Sequence, residues 1–185
     1  NELWVVMDQH ADIQLGEGVD STDECSATVA ASAIHKYLGL QLPVGFMSSG
    51  SETVSYLPER GNGQRTRVFR HIARSKPTGQ RRLFGLLAEI EREVGRGSSV
   101  VAITASPDGD WVDALSAFQR RGVQTVAVTM DRSTWVPGEA SPSPRSRLLA
   151  NGIRTYVLRK GASISAALSE PEAPGIISRA AAEIG

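Results

Sequence analysis

The chain has 185 residues, of which 41% are apolar and 22% charged, a composition typical of one ordinary folded domain. Lys and Arg (20) balance Asp and Glu (20), so the zero formal net charge disfavours electrostatic binding to nucleic acid or to anionic lipid. One Cys and three His are too few for a zinc site of four cysteines or of paired cysteines and histidines.

The expected cellular location follows from features that the sequence lacks. No apolar run approaches the roughly 18 residues that span a bilayer, so this fragment is not expected to insert into a membrane. The chain starts without Met, which suggests a trimmed fragment, and its lone Cys25 indicates a reducing compartment. We therefore expect either a cytoplasmic protein or the soluble part of a membrane-anchored one.

Short β-rich apolar runs alternate with longer amphipathic stretches, as in a sheet covered by helices on both faces. Strands are predicted at residues 3–7, 44–48, 52–57, 98–104, 123–130 and 153–158. Helices are predicted at residues 22–40, 64–74, 83–94 and 111–121, and a further short helix is predicted to end with residues 148–151. Residues 1–168 form the predicted domain, and 169–185 a C-terminal tail or docking helix.

Only Ser49-Gly50-Ser51 separates the second and third strands, so a hairpin is expected and one strand should be antiparallel. The predicted fold is α/β: a three-layer, doubly wound, mostly parallel six-stranded sheet of Rossmann type. Right-handed crossovers place the fourth strand on the far side of the first, where the strand order reverses. Ligand sites in such sheets lie at the carboxyl ends of the strands, here after Met7 and after Thr104.

The loop after the first strand reads Asp8-Gln9-His10-Ala11-Asp12, with three potential ligands at alternate positions. This spacing could turn three side chains toward one cation, although an imidazole suits Mg²⁺ poorly. The alternative, which we favour, is a polar loop in which the Asp8 carboxylate accepts hydrogen bonds from neighbouring backbone N–H groups.

The order of strand, Asp8-x-His10-x-Asp12, long helix, hairpin, two helices and VVAIT resembles the von Willebrand factor A (VWA) domain. In that family D-x-S-x-S, a later Thr and an Asp after the fourth strand hold Mg²⁺ in a metal-ion-dependent adhesion site. Here His10 and Asp12 replace the two Ser, Gly79-Gln80-Arg81-Arg82 replaces the Thr-bearing turn, and Ala105 stands at the Asp position. The resemblance implies a degenerate site with no metal and no cofactor.

Five segments resemble a bacterial subgroup of this fold, the domain-of-unknown-function family 58. They are LWVVMD, YLPERGNGQ, RSKPTG, SSVVAIT and LLANGIRTYVLRKGASISAAL. Genes of this family tend to lie beside those for MoxR-type AAA+ ATPases. The resemblance therefore implies an interaction module with such an ATPase as its protein partner.

Charge is distributed unevenly along the chain. Residues 8–24 hold six carboxylates and no Lys or Arg, whereas residues 60–82 hold eight Lys or Arg and no carboxylate. We hypothesise that Arg81 and Arg82 lie across the sheet from Asp8 and Asp12 and replace the missing cation. For Arg67, Arg70 and Arg74 on the second helix, a solvated face is favoured over an anion-binding patch.

The leading functional hypothesis is a non-enzymatic protein–protein interaction module. Its predicted contact residues are Asp8, His10, Asp12, Arg81, Arg82, Ser106 and Asp108. The alternative is a Mg²⁺-dependent protein-binding domain that uses Asp8, His10 and Asp12. An enzyme with Asp8 and His10 as acid and base is the least supported, because no nucleophile or phosphate-binding motif was found. Trp111 and Trp135 either anchor a partner or lie buried under loops.

Overall fold

The computed structural model describes residues 1–139 and 144–172. Six strands form one sheet in the order β3-β2-β1-β4-β5-β6, and only the β2–β3 pair is antiparallel. The strands are β1 Leu3–Met7, β2 Val44–Ser49, β3 Thr53–Glu59, β4 Ser99–Ile103, β5 Gln124–Met130 and β6 Arg154–Leu158. The predicted fold class is confirmed, including the hairpin and the reversal of strand order at β1.

Helices cover both faces of the sheet. They are α1 Thr22–Gly39, α2 Gly61–Arg74, α3 Leu83–Ile90, α4 Asp110–Arg120, α5 Pro144–Ala150 and α6 Ile164–Ala167. Short 3₁₀ turns lie at Ala11–Ile13, Gly18–Asp20 and Arg132–Thr134. One buried cluster joins α1 and α2 to residues such as Val5 and Phe46, and the other joins α3 and α4 to Trp4 and Val6. As predicted for an apolar run, β1 is buried along its whole length.

Two predicted helix boundaries were wrong. Helix α2 begins three residues earlier than predicted, because the buried Gln64 amide donates to the carbonyls of Val44 (2.6 Å) and Leu57 (3.0 Å) and holds the first turn against the sheet. Helix α3 ends at Ile90 rather than at Val94. There the amide of Val94 still bonds the Ile90 carbonyl, but the chain turns away toward Gly97, whose φ is +82°.

The start of the predicted tail lies against the last strand. The backbone N–H of Glu172 donates to the Thr155 carbonyl at 2.7 Å, and its carboxylate pairs with Arg145 at 2.5 Å. The rest of the predicted tail or docking helix, from residue 173, lies outside the described residues. Within the part of the chain that the structure describes, no helix combines the length and apolar character needed to cross a bilayer.

Candidate functional site at the strand mouth

Asp8 stands at the carboxyl end of β1, where the strand order reverses, and only 2% of it is exposed. Its Oδ1 accepts from the backbone N–H of His10 at 3.1 Å, and its Oδ2 accepts from the Thr104 hydroxyl at 2.7 Å. Burial raises the pKa of this carboxyl above its ordinary value, and the two hydrogen bonds oppose that rise. The Asp8 carboxylate therefore links the backbone of the loop after β1 to Thr104, which follows β4.

The other two alternate residues do not converge with Asp8 on one point. His10 is buried, and its Nδ1 accepts from the backbone N–H of Asp12 at 3.1 Å, so this nitrogen is occupied inside the turn. The Asp12 side chain is 74% exposed. Among residues 1–139 and 144–172, no group of three His, Cys, Asp or Glu side chains is placed to hold a metal ion.

We call the edge of the sheet formed by the loops after β1 and β4 the mouth. Arg82 bridges two exposed carboxylates across it. Its Nη2 lies 3.8 Å from Asp12 Oδ2, and its Nη1 lies 3.7 Å from Asp108 Oδ2. The hypothesis that Arg81 also faces the mouth was wrong, because the Arg81 guanidinium pairs with Glu89 on α3 at 2.5 Å. Adjacent residues at the start of a helix point in different directions, so only one of the pair can reach the mouth.

The loop after β4 completes the mouth and is held by its own hydrogen bonds. Thr104 accepts from the backbone N–H of Ser106 at 2.9 Å, and the Ser106 hydroxyl accepts from the N–H of Asp108 at 3.1 Å. Ser106 and Asp108, together with Asp8, His10 and Arg82, line a cavity of only about 10 Å³. That volume holds about one water molecule.

Both tryptophans near the mouth are buried, so the structure agrees with burial under loops, one of the two alternatives that the sequence left open. Trp111 is 1% exposed and donates from Nε1 to the Asp108 carbonyl at 2.9 Å. Trp135 is 8% exposed and donates to the Asp20 carbonyl at 2.6 Å. Each indole N–H satisfies a loop carbonyl while its ring fills the space beneath that loop.

The family and the fold follow from comparison with known proteins. A family model described as "Protein of unknown function DUF58" matches residues 1–139. The chain belongs to this family. No curated protein matches it.

Solved structures place the DUF58 domain in the VWA fold. The SpRpn10 VWA domain is 11% identical, with 91% of this chain and 93% of that chain covered and a TM-score of 0.62. The conserved hypothetical protein BatB from Bacteroides thetaiotaomicron is 12% identical, with coverage of 91% and 94% and a TM-score of 0.61. Proximal thread matrix protein 1 from the mussel byssus, with a zinc-occupied MIDAS motif, is 11% identical, with coverage of 91% and 46% and a TM-score of 0.62.

Arg132 organises the mouth of the DUF58 domain and was not found from the sequence. The side chain is 90% buried, and its Nη1 donates to the carbonyls of Ile13 (2.7 Å) and Ala105 (2.9 Å), one on each mouth loop. Its Nε pairs with Glu139 at 2.7 Å. Its position just after β5 was the available signal, because the ends of parallel strands meet at one edge of the sheet.

Proposed function

We propose that this DUF58 domain is a non-enzymatic protein–protein interaction module whose mouth binds its partner without a metal ion. The observation that carries the proposal is the position of the Arg82 guanidinium between the exposed carboxylates of Asp12 and Asp108. All three side chains are more than half exposed and carry charge on the outer rim of the mouth. Charged rim residues of this kind orient a partner and speed its association.

The arrangement disfavours a divalent cation in three ways. The guanidinium of Arg82 repels a second positive charge by Coulomb's law. Both Asp8 oxygens already accept hydrogen bonds from Thr104 and His10. The space beside them holds about one water molecule rather than a hydrated ion. In this proposal the mouth is a degenerate adhesion site, and no group of ligands among the described residues supports the Mg²⁺-dependent alternative.

The predicted contact residues take different roles. Asp12, Arg82 and Asp108 are the exposed contacts, and Ser106 lies half-buried beside them. Asp8 and His10 are buried, so we assign them to support of the loop rather than to contact with the partner. Arg81 has no place in the proposed contact surface. The same burial argues against Asp8 and His10 as an acid and base, because the cavity that they line has a volume of only about 10 Å³.

We propose a MoxR-type AAA+ ATPase as the partner. The proposal rests on membership of DUF58 and on the partner that the resemblance to this family implies. Cys25, the single Cys of the chain, has no disulfide partner and supports a reducing, cytoplasmic setting, whether the domain is free or part of an anchored protein.

The absence of a metal requirement is tested by thermal unfolding of the chain with MgCl2 and with NaCl of equal ionic strength. A bound ion at a hundredfold excess over its Kd would stabilise the fold by about 2.7 kcal/mol. We expect the two salts to give the same midpoint. A Mg²⁺-specific rise that Asp8→Asn abolishes would contradict the proposal and support the Mg²⁺-dependent alternative.

The contact surface is tested by biolayer interferometry with the purified MoxR-type ATPase from the same genome. Arg82→Glu should greatly weaken binding, because it places three carboxylates together at the mouth. The matched control is Arg92→Glu, an equal charge change at an exposed position just after α3, whereas Arg82 lies at the start of that helix. Failure of the unaltered chain to bind would reject this ATPase as the partner, and equal loss in both variants would reject the mouth as the contact.

A further inference from the structure

A second polar surface lies between α2, β3 and the β2–β3 turn, and it shares no lining residue with the cavity at the mouth. It is a groove of about 760 Å³, and we call it the arginine cleft. Arg67, Arg70 and Arg74, one from each successive turn of α2, line it together with Tyr56 and His71. These arginines lie at positions i, i+3 and i+7, so they share one face of the helix.

The floor of the arginine cleft is fixed by packing. The His71 ring lies edge-on to Phe46 (5.9 Å) and to Tyr56 (6.1 Å), and its Nε2 is 2.9 Å from the Ser48 hydroxyl. Arg67 covers the Tyr56 ring, with Cζ 4.8 Å from the ring centroid, and pairs with Glu59 at 3.0 Å. This arginine is therefore held in place and is partly neutralised.

Positive charge in the cleft exceeds negative charge. Arg70 and Arg74 are exposed and form no ion pair with any described residue, and Glu52 is the one carboxylate among the described lining residues. The first turn of α2 also lines the cleft at Asn62 and Gly63. That turn contains no acidic residue, and the Arg60 side chain does not cap it, so the positive end of the helix dipole is uncompensated.

We propose that the arginine cleft binds an acidic, extended segment of a partner protein, whose carboxylates pair with Arg70 and Arg74. This site is separate from the mouth and goes beyond the function proposed for it. The three arginines are spread over roughly 10 Å of helix axis rather than converging on one point. That distance matches about three residues of extended chain, so a row of carboxylates fits the groove better than a single phosphate does.

Nucleic acid is the less suitable polyanion for this groove. Single strands bind by stacking bases on exposed aromatic rings. Tyr56 is the aromatic residue of the lining besides His71, and its ring is covered by Arg67 and packed against Phe46 and His71. The arginine side chains of the cleft are therefore available to pair with an anionic ligand, whereas its aromatic rings are not available for base stacking.

The test is fluorescence anisotropy with a labelled peptide of alternating Glu and Ser. The altered chain is Arg70→Glu with Arg74→Glu, and the matched control is Arg92→Glu with Arg120→Glu, which changes net charge equally at two exposed positions elsewhere. We expect the cleft variant to bind at least about tenfold more weakly, equivalent to about 1.4 kcal/mol, and the control to bind like the unaltered chain. Arg70→Lys with Arg74→Lys should keep most of the affinity. Far-UV circular dichroism checks that each variant is folded.

Several outcomes would overturn the proposal. One is that the unaltered chain does not bind the peptide, and another is that the cleft and control variants lose peptide affinity equally. The proposal also fails if the chain binds a labelled single-stranded DNA as tightly as the peptide, or if inorganic phosphate competes as strongly as unlabelled peptide. Self-association of the unaltered chain that the cleft variant abolishes, seen by sedimentation velocity, would assign the groove to a second copy instead. Arg82→Glu should leave peptide binding unchanged, so failure at the mouth and failure at the cleft are distinguishable.

Discussion

The mouth and the arginine cleft both gather charged side chains, but they balance those charges differently. At the mouth each carboxylate has a partner: Asp8 has Thr104 and the His10 N–H, whereas Asp12 and Asp108 have Arg82. In the cleft, Arg70 and Arg74 face solvent without a carboxylate partner among the described residues. The cavities differ accordingly, at about 10 Å³ and about 760 Å³.

This difference separates polar groups that hold the fold from polar groups that are available for binding. A motif such as Asp8-x-His10-x-Asp12 attracts attention because its residues are common ligands, yet two of its three side chains are used within the loop. A solvated arginine face attracts little attention, yet Arg70 and Arg74 have no carboxylate partner among the described residues.

The largest effect is expected from Arg132→Met, because Arg132 joins both mouth loops. The change leaves the carbonyls of Ile13 and Ala105 and the carboxylate of Glu139 without their donor. We expect a loss of about 3 kcal/mol in the free energy of unfolding, measured by urea denaturation. The control is Arg81→Met, which breaks a half-exposed pair with Glu89 and should cost less than about 1 kcal/mol. Equal losses would show that Arg132 is not a special support of the mouth.

A smaller loss is expected from Thr104→Val, which removes the hydroxyl donor to the buried Asp8 carboxylate. Hydrogen bonds to charged groups typically contribute about 2 kcal/mol, and the same denaturation experiment measures the change. Thr125→Val is the matched control, because the Thr125 hydroxyl is buried with no hydrogen-bond partner among the described residues. It should be neutral or stabilising. A Thr104→Val variant as stable as that control would show that the hydroxyl does not support Asp8.

The cleft floor gives a third, more modest prediction through pH. Burial lowers the pKa of His71 below its ordinary 6.5, and Glu52 opposes that shift. The folded state therefore favours the neutral ring, and this contribution to stability is present above pH 6.5 and lost as pH falls through the lowered pKa. His71→Gln should lose stability less steeply on acidification than the unaltered chain, measured by thermal unfolding across this range. His35→Gln, at an exposed position on α1, should keep the original slope. Identical slopes in all three proteins would contradict the prediction.

The smallest expected effect is a change in the free energy of unfolding whose sign differs between the mouth and the cleft. Arg82→Ala removes two weak, half-exposed ion pairs at the mouth and should lower stability by less than about 1 kcal/mol. Arg70→Ala removes one of several like charges from α2 and should leave stability unchanged or slightly higher. Urea denaturation at low ionic strength, where surface charge is least screened, measures both. A greater loss for Arg70→Ala would show that its charge is balanced within the fold.

Much of the fold could be predicted from the sequence because its strands carry local signals. The run Leu3–Met7 is apolar throughout, as a doubly covered strand requires, and the short link after Ser48 forces a hairpin. The residues that depend on distant partners could not be predicted in this way. The contact from Arg132 to Ile13 joins positions 119 residues apart. The pattern also did not distinguish Arg81 from Arg82, because only the start of α3 decides which one faces the mouth.

Gln9 has a consequence for how the mouth and the cleft could be used together. Its side-chain amide donates to the Asp23 carboxylate at 3.2 Å and accepts from the hydroxyl of Ser75, a cleft residue, at 2.9 Å. The preceding residue, Asp8, lines the cavity at the mouth. These Gln9 contacts fix the distance between the mouth and the arginine cleft. A bivalent ligand with one tether of matching length would therefore gain effective concentration, while shorter tethers would reach only one surface at a time.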